Sequence, residues 1–152
     1  MGTRTWSNVS TPSGDKTYTI WMKTTEVSGD FRLVSSLSNT INYNADGNEI
    51  TVDGNAFSSL TALNDDNWHL VTIAVSSNDD VDVYIDESLV PNSTNIPGVS
   101  DPSTGDFVIG DAGIDLFSVR VLGQKLDLST FRLNYLYKDV IENSGNAFYD
   151  GV

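Results

Sequence analysis

Asn67-Trp68-His69-Leu70-Val71-Thr72-Ile73-Ala74-Val75 is an apolar run rich in β-branched residues, and Val81-Asp82-Val83-Tyr84-Ile85-Asp86 follows it beyond Ser76-Ser77-Asn78-Asp79-Asp80. Two strand-like runs around a short cluster of turn formers predict an antiparallel hairpin. Outward from this hairpin the same pattern repeats. Tyr18, Ile20 and Met22 alternate with Thr19, Trp21 and Lys23, so the run 17–23 predicts a strand with one buried face and one open face. Phe31 to Leu37 forms another run. Ile41-Asn42-Tyr43 and Ile50-Thr51-Val52 flank Asp46-Gly47, a dipeptide suited to a tight turn. Phe107-Val108-Ile109 and Leu116 to Leu122 supply two more strands. Many short strands between turn signals predict an all-β sandwich or barrel.

Composition supports this. Of 21 acidic residues, 17 are Asp and only 4 are Glu, namely Glu26, Glu49, Glu87 and Glu142. Asp favours turns and Glu favours helices, so the skew suits a loop-rich β protein. Hydrophobic residues reach 39% over 152 residues, enough for one core-forming domain, expected to span 1–152. The absence of cysteine removes disulfides, thiolate zinc sites and cysteine nucleophiles, and the single His69 removes multi-histidine metal catalysis. A formal net charge of −13 repels nucleic acid and anionic lipid, so neither nucleic acid nor membrane insertion is expected. No secretory signal is visible in Met1-Gly2-Thr3-Arg4. Between Val90 and Asp106, Pro91, Pro97, Gly98, Pro102 and Gly105 predict a long irregular loop. Asp127 before Leu128 and Phe131 predicts one short helix near 127–132, with a strand left open for the residues beyond it.

The runs at 67–75 and 81–86 resemble the "W-H-hydrophobic-V-A-V" and "L-Y-V-D-G" segments of laminin-G-like, concanavalin A-like jelly rolls. Phe107-Val108-Ile109-Gly110 is similar to the family's "L-x-I-G" strand, and Ser118-Val119-Arg120-Val121-Leu122 to its "D-V-R-I-Y" segment. Tyr18 to Lys23 is similar to its "F-T-I-x-x-W-V-K" strand. The resemblance spans about residues 17–137 and implies an antiparallel two-sheet jelly-roll sandwich. Two positions depart from it. Glu87 stands where the family has glycine, and Phe117-Ser118 replaces an acidic pair associated with calcium, with Asp111 and Asp115 nearby as substitutes.

Retaining glucanases of the same architecture carry "E-x-D-x-x-E" on an inner strand. No Glu here stands in that pattern, and Asp80, Asp82 and Asp86, which come closest, belong to hairpin ends. His69 follows Trp68 in an apolar strand without a nucleophile-elbow serine, so it reads as structural. No catalytic residue is therefore expected, and the chain is read as a non-enzyme. Asn42, Asn44, Asp46, Gly47 and Asp53 match a calcium loop in spacing, but the flanking runs are strands, so a plain hairpin is preferred. Asp79 with Asp80, and Asp111 with Asp115, are the better calcium candidates, although no cofactor is required. Sugars present C–H faces that stack on exposed rings, and Trp21, Tyr43, Trp6 and Tyr149 lie at polar-flanked or terminal positions suited to that role.

These readings converge on a non-catalytic, lectin-like adhesion module, displayed on a virion surface or in an extracellular setting, with surface glycans as partners. The alternative is a capsid or tail decoration protein of a phage that binds virion partners or its own copies and no sugar. A glycoside hydrolase ranks below both.

Overall fold

A computed structural model describes residues 2–36, 39–91 and 94–125 of the chain. The strands are β1 (Arg4–Thr11), β2 (Lys16–Thr24), β3 (Asp30–Ser35), β4 (Thr40–Asn44), β5 (Glu49–Val52), β6 (Asn55–Ser58), β7 (His69–Val75), β8 (Asp80–Ile85), β9 (Ser88–Leu89), β10 (Thr94–Asn95), β11 (Ser103–Ile109) and β12 (Ile114–Leu122). They form two sheets. One runs β1-β11-β3-β4-β5-β6; the other runs β10-β8-β7-β2-β12, with β9 paired to β8. Every pairing is antiparallel. The expected two-sheet sandwich is present, and the predicted strands around β2, β4, β5, β7, β8, β11 and β12 all form. The expected helix near 127–132 lies outside the described residues.

Period-two patterning builds the core. Tyr18, Ile20 and Met22 of β2, Val71, Ile73 and Val75 of β7, and Val81, Val83 and Ile85 of β8 line one inner face. Leu33 and Val34 of β3, Ile41 and Tyr43 of β4, Ile50 and Val52 of β5, and Phe57 of β6 join the same cluster from the facing sheet. Each fully buried aliphatic or aromatic side chain contributes roughly 1.5–3 kcal/mol relative to exposure.

Three local features differ from the sequence reading. The strands β2 and β7 lie inside their sheet and are buried on both faces, including Thr17, Thr19, Trp21, Leu70 and Ala74. Among the described strands β1 forms the edge of its sheet, from a segment too polar to stand out by patterning. The loop expected across 90–106 contains β10 and the start of β11.

A register shift in the β3–β4 pairing, between Arg32 and Val34, sets the outer surface of the first sheet. It lets the consecutive residues Leu33 and Val34 both turn inward, where each is fully buried. Arg32 and Ser35 consequently remain together on the outer face, one step either side of the bulge.

Candidate ligand-binding groove

On the outer face of the first sheet, β3 and β4 place polar residues directly opposite one another. Asp30 pairs with Asn44, Arg32 with Asn42, and Ser35 with Thr40. Their strand neighbours Ile41, Tyr43 and Val34 occupy the core, so alternation forces these polar side chains outward. Asp111, in the turn between β11 and β12, closes one side. Its Oδ2 accepts from the Arg32 backbone N–H at 3.4 Å and its Oδ1 from the Ala112 N–H at 2.9 Å. Asp30, Arg32, Ser35, Thr40, Asn42 and Asp111 enclose an open polar groove of about 290 Å³. Among the described residues, no aromatic ring contributes to this lining.

Two atoms at the groove floor are left without partners. Asn42 donates from Nδ2 to Asp30 Oδ2 at 2.9 Å. That bond fixes the amide, because the flipped orientation would set its oxygen against a carboxylate oxygen. Asn42 Oδ1 is then buried and unbonded, and so is Arg32 Nε on the facing strand. Arg32 joins none of the ion pairs among the described residues. An unsatisfied buried donor or acceptor costs about 1–3 kcal/mol, so the floor holds one N–H and one C=O that gain from a ligand.

The aromatic residues singled out from sequence lie elsewhere. Trp21 is 5% exposed and packs with Leu70, Trp68 and Phe117; Tyr43 is fully buried in the main core. Neither ring offers a face for stacking, because β2 is covered on both sides and Tyr43 falls on the inward row of β4. Trp6, on the edge strand β1, is 44% exposed and lines an apolar hollow of about 260 Å³ with Val9, Phe107, Ile109 and Val119. Tyr149 lies outside the described residues. Of the groove residues, two entered the sequence reading, both as calcium candidates: Asn42 in the calcium-loop spacing and Asp111 beside Asp115. The usable signal was the alternation of polar and core residues along β4, whereas the bulge breaks that alternation in β3.

Asp79, Asp80 and Asp111 each accept hydrogen bonds from nearby groups. Asp79, at φ 66° in the β7–β8 turn, accepts from Gly98 N–H at 3.1 Å, from Ser100 N–H at 2.7 Å and from the Ser100 hydroxyl. The Ser100 bonds chiefly hold its carboxyl below the ordinary value. Asp80 accepts from Asn78 Nδ2 at 2.8 Å, and Asp115 is exposed on β12. A calcium ion needs six to eight oxygens, whereas Asp79 and Asp111 face N–H and O–H groups. Among the described residues, no three acidic or histidine side chains converge on one point.

His69 is structural in its setting. Its Nδ1 lies 2.6 Å from Asp86 Oδ2 and its Nε2 lies 2.9 Å from Asp65 Oδ1, while Asp86 Oδ1 accepts from Leu70 N–H at 2.9 Å. Burial would lower the imidazole pKa, but bonds and charge from Asp86 and Asp65 outweigh it and raise the value. The ring is 3% exposed, and its two bonds clamp the 65–69 loop to the end of β8.

Residues 2–122 match the family described as the concanavalin A-like lectin/glucanases superfamily. Among solved structures, a Trypanosoma rangeli sialidase bound to 2,3-difluoro-KDN superposes with a TM-score of 0.63 at 17% identity, over 84% of this chain and 23% of that one. The binding domain of Paraclostridial Mosquitocidal Protein 1 gives 0.63 at 16% identity, over 80% of this chain and 37% of that one. A botulinum neurotoxin type C structure, described for cell entry dependent on two ganglioside molecules, gives 0.61 at 11% identity, over 81% and 35%. The chain thus spans from 23% to 37% of the length of these structures, and at such identities the likeness is one of fold. No curated protein matches the sequence.

Proposed function

The chain belongs to the concanavalin A-like lectin/glucanases superfamily, and from that premise we propose that it is a non-catalytic glycan-binding module whose sugar site is the β3–β4 groove. The observation that carries this reading is the pair of unpartnered polar atoms, Arg32 Nε and Asn42 Oδ1, on the floor of an open polar groove. A sugar hydroxyl both donates and accepts, so it can meet both atoms at once. Rotation of the Arg32 side chain, which no ion pair among the described residues restrains, opens the floor. Such side-chain rearrangement is common where the backbone hardly moves on binding.

A binding role fits the groove better than hydrolysis. A glycosidase needs a protonated carboxyl aimed at the glycosidic oxygen and a second carboxylate across the sugar. The two carboxylates here are engaged as acceptors, Asp30 by Asn42 and Asp111 by two backbone amides. Calcium is not needed for contacts made by these side chains. Display on a surface, of a virion or of a cell, completes the proposal. The reading as an assembly protein without a sugar draws on a different feature, the Trp6 hollow, which is apolar and lies on the edge strand of the described sheet.

A broad glycan array, run with calcium and again with chelator, tests the proposal. Specific binding is expected in both conditions, with loss in Arg32→Ala and Asn42→Ala variants whose melting matches the parent. Binding that survives both substitutions moves the site elsewhere. Silence of the parent across the array overturns the glycan reading and favours the assembly role.

A further inference from the structure

We infer that the groove selects an uncharged sugar, held edge-on by a hydroxyl or a vicinal pair of hydroxyls bridging Arg32 Nε–H and Asn42 Oδ1, and that it rejects sugars bearing carboxylate or sulfate. This rests on the glycan-binding reading above and adds to it the chemical class of the ligand.

The hydrogen-bond polarity of the floor comes first. Arg32 Nε is a donor and Asn42 Oδ1 an acceptor, and the two residues are directly paired across β3 and β4. A carboxylate or sulfate oxygen accepts from Arg32 but brings no proton for Asn42. The amide cannot turn its Nδ2 to the anion instead, because Nδ2 is held by Asp30 at 2.9 Å. An acidic group therefore leaves Asn42 Oδ1 buried and unpaired, whereas a hydroxyl satisfies both atoms. Sites built to pair with a specific hydroxyl discriminate strongly for this reason.

Charge acts in the same direction. The lining holds two carboxylates, Asp30 and Asp111, against one guanidinium, within a chain of net charge −13. An incoming anion meets repulsion at short range from the rim and at long range from the whole surface. Shape sets the remainder. At about 290 Å³ the groove sits at the small end of ligand sites, which suits one sugar ring. With no ring among the described residues of its lining, affinity depends on hydrogen bonds rather than stacking, so hydroxyl placement matters more than the sugar's apolar face.

Calorimetric titration of the full chain with matched oligosaccharides, each neutral and in a sialylated or sulfated form on the same core, tests the inference. The neutral member is expected to bind at least about tenfold more tightly than its acidic partner. The ratio should narrow in Asp111→Asn, which removes one rim charge, and as salt is raised. Equal affinity, or preference for the acidic member, overturns the inference and leaves the glycan reading intact. Absence of binding to every member of both series overturns the glycan reading and the inference with it.

Discussion

His69 shows what a single residue does in this fold. Its imidazole bridges Asp65 and Asp86 while 3% exposed, which couples a loop, a strand end and a hairpin turn through one ring. The folded His69 value lies above its ordinary 6.5, so its stabilising contribution is complete below pH 6.5 and is lost as pH rises through the raised value. Burial pushes Asp65 up, but bonds from Asn67 and His69 outweigh it and bring its carboxyl down to about 2 from 3.8. That contribution is complete above pH 3.8 and is lost as pH falls toward 2. The clamp is therefore strongest between pH 3.8 and 6.5. Replacing His69 with Gln is expected to cost about 2–3 kcal/mol near pH 5 in urea unfolding, and less above neutrality. A cost that does not change with pH contradicts a charged clamp. The Trp68-His69 pair announced this residue in the sequence, but its two carboxylate partners could not be paired with it before the hairpin brought them together.

At the scale of elements, the hairpins were the most legible part. The β4–β5 and β7–β8 pairs form where Asp46-Gly47 and Ser76 to Asp80 place turns. The β8–β9 turn carries the departure from the family's glycine: Asp86 and Glu87 both adopt positive φ, 47° and 71°. Such a two-residue hairpin turn favours glycine, because a side chain in this region crowds its own backbone by roughly 1–2 kcal/mol. Part of that gain is offset by the greater freedom of glycine in the unfolded chain. Glu87→Gly is accordingly expected to stabilise the protein by about 0.5–1 kcal/mol, read as a rise in melting temperature of a few degrees. A lower melting temperature would mean that the Glu87 side chain makes a contact worth more than the strain. The bulge in β3 was less legible. Phe31 to Leu37 reads only as a strand-like run, and the paired register is what shows that Arg32 and Ser35 share the outer face while Leu33 and Val34 share the inner one.

For the whole molecule, the sandwich followed from patterning and resemblance because burial of alternating residues is a local signal repeated along the chain. The site did not, because it is a product of sheet order. The β11–β3 pairing brings Asp111 beside Arg32, far away in sequence, and no spacing rule places them together. The same logic explains the misplaced rings: polar neighbours made Trp21 look open, yet β12 and β7 flank its strand and Trp68 and Phe117 cover it. What the described residues present instead is a groove without rings, whose floor holds one unpaired donor and one unpaired acceptor. The most direct test is nitrogen-15 NMR of the Arg32 Nε–H and Asn42 side-chain amide signals during titration with a neutral oligosaccharide chosen from the array. The account predicts that the Arg32 Nε–H signal shifts and becomes protected from exchange as the sugar saturates, together with neighbouring β3 and β4 amides. Binding that leaves both side-chain signals unmoved while shifting Trp6 or any other region would contradict it.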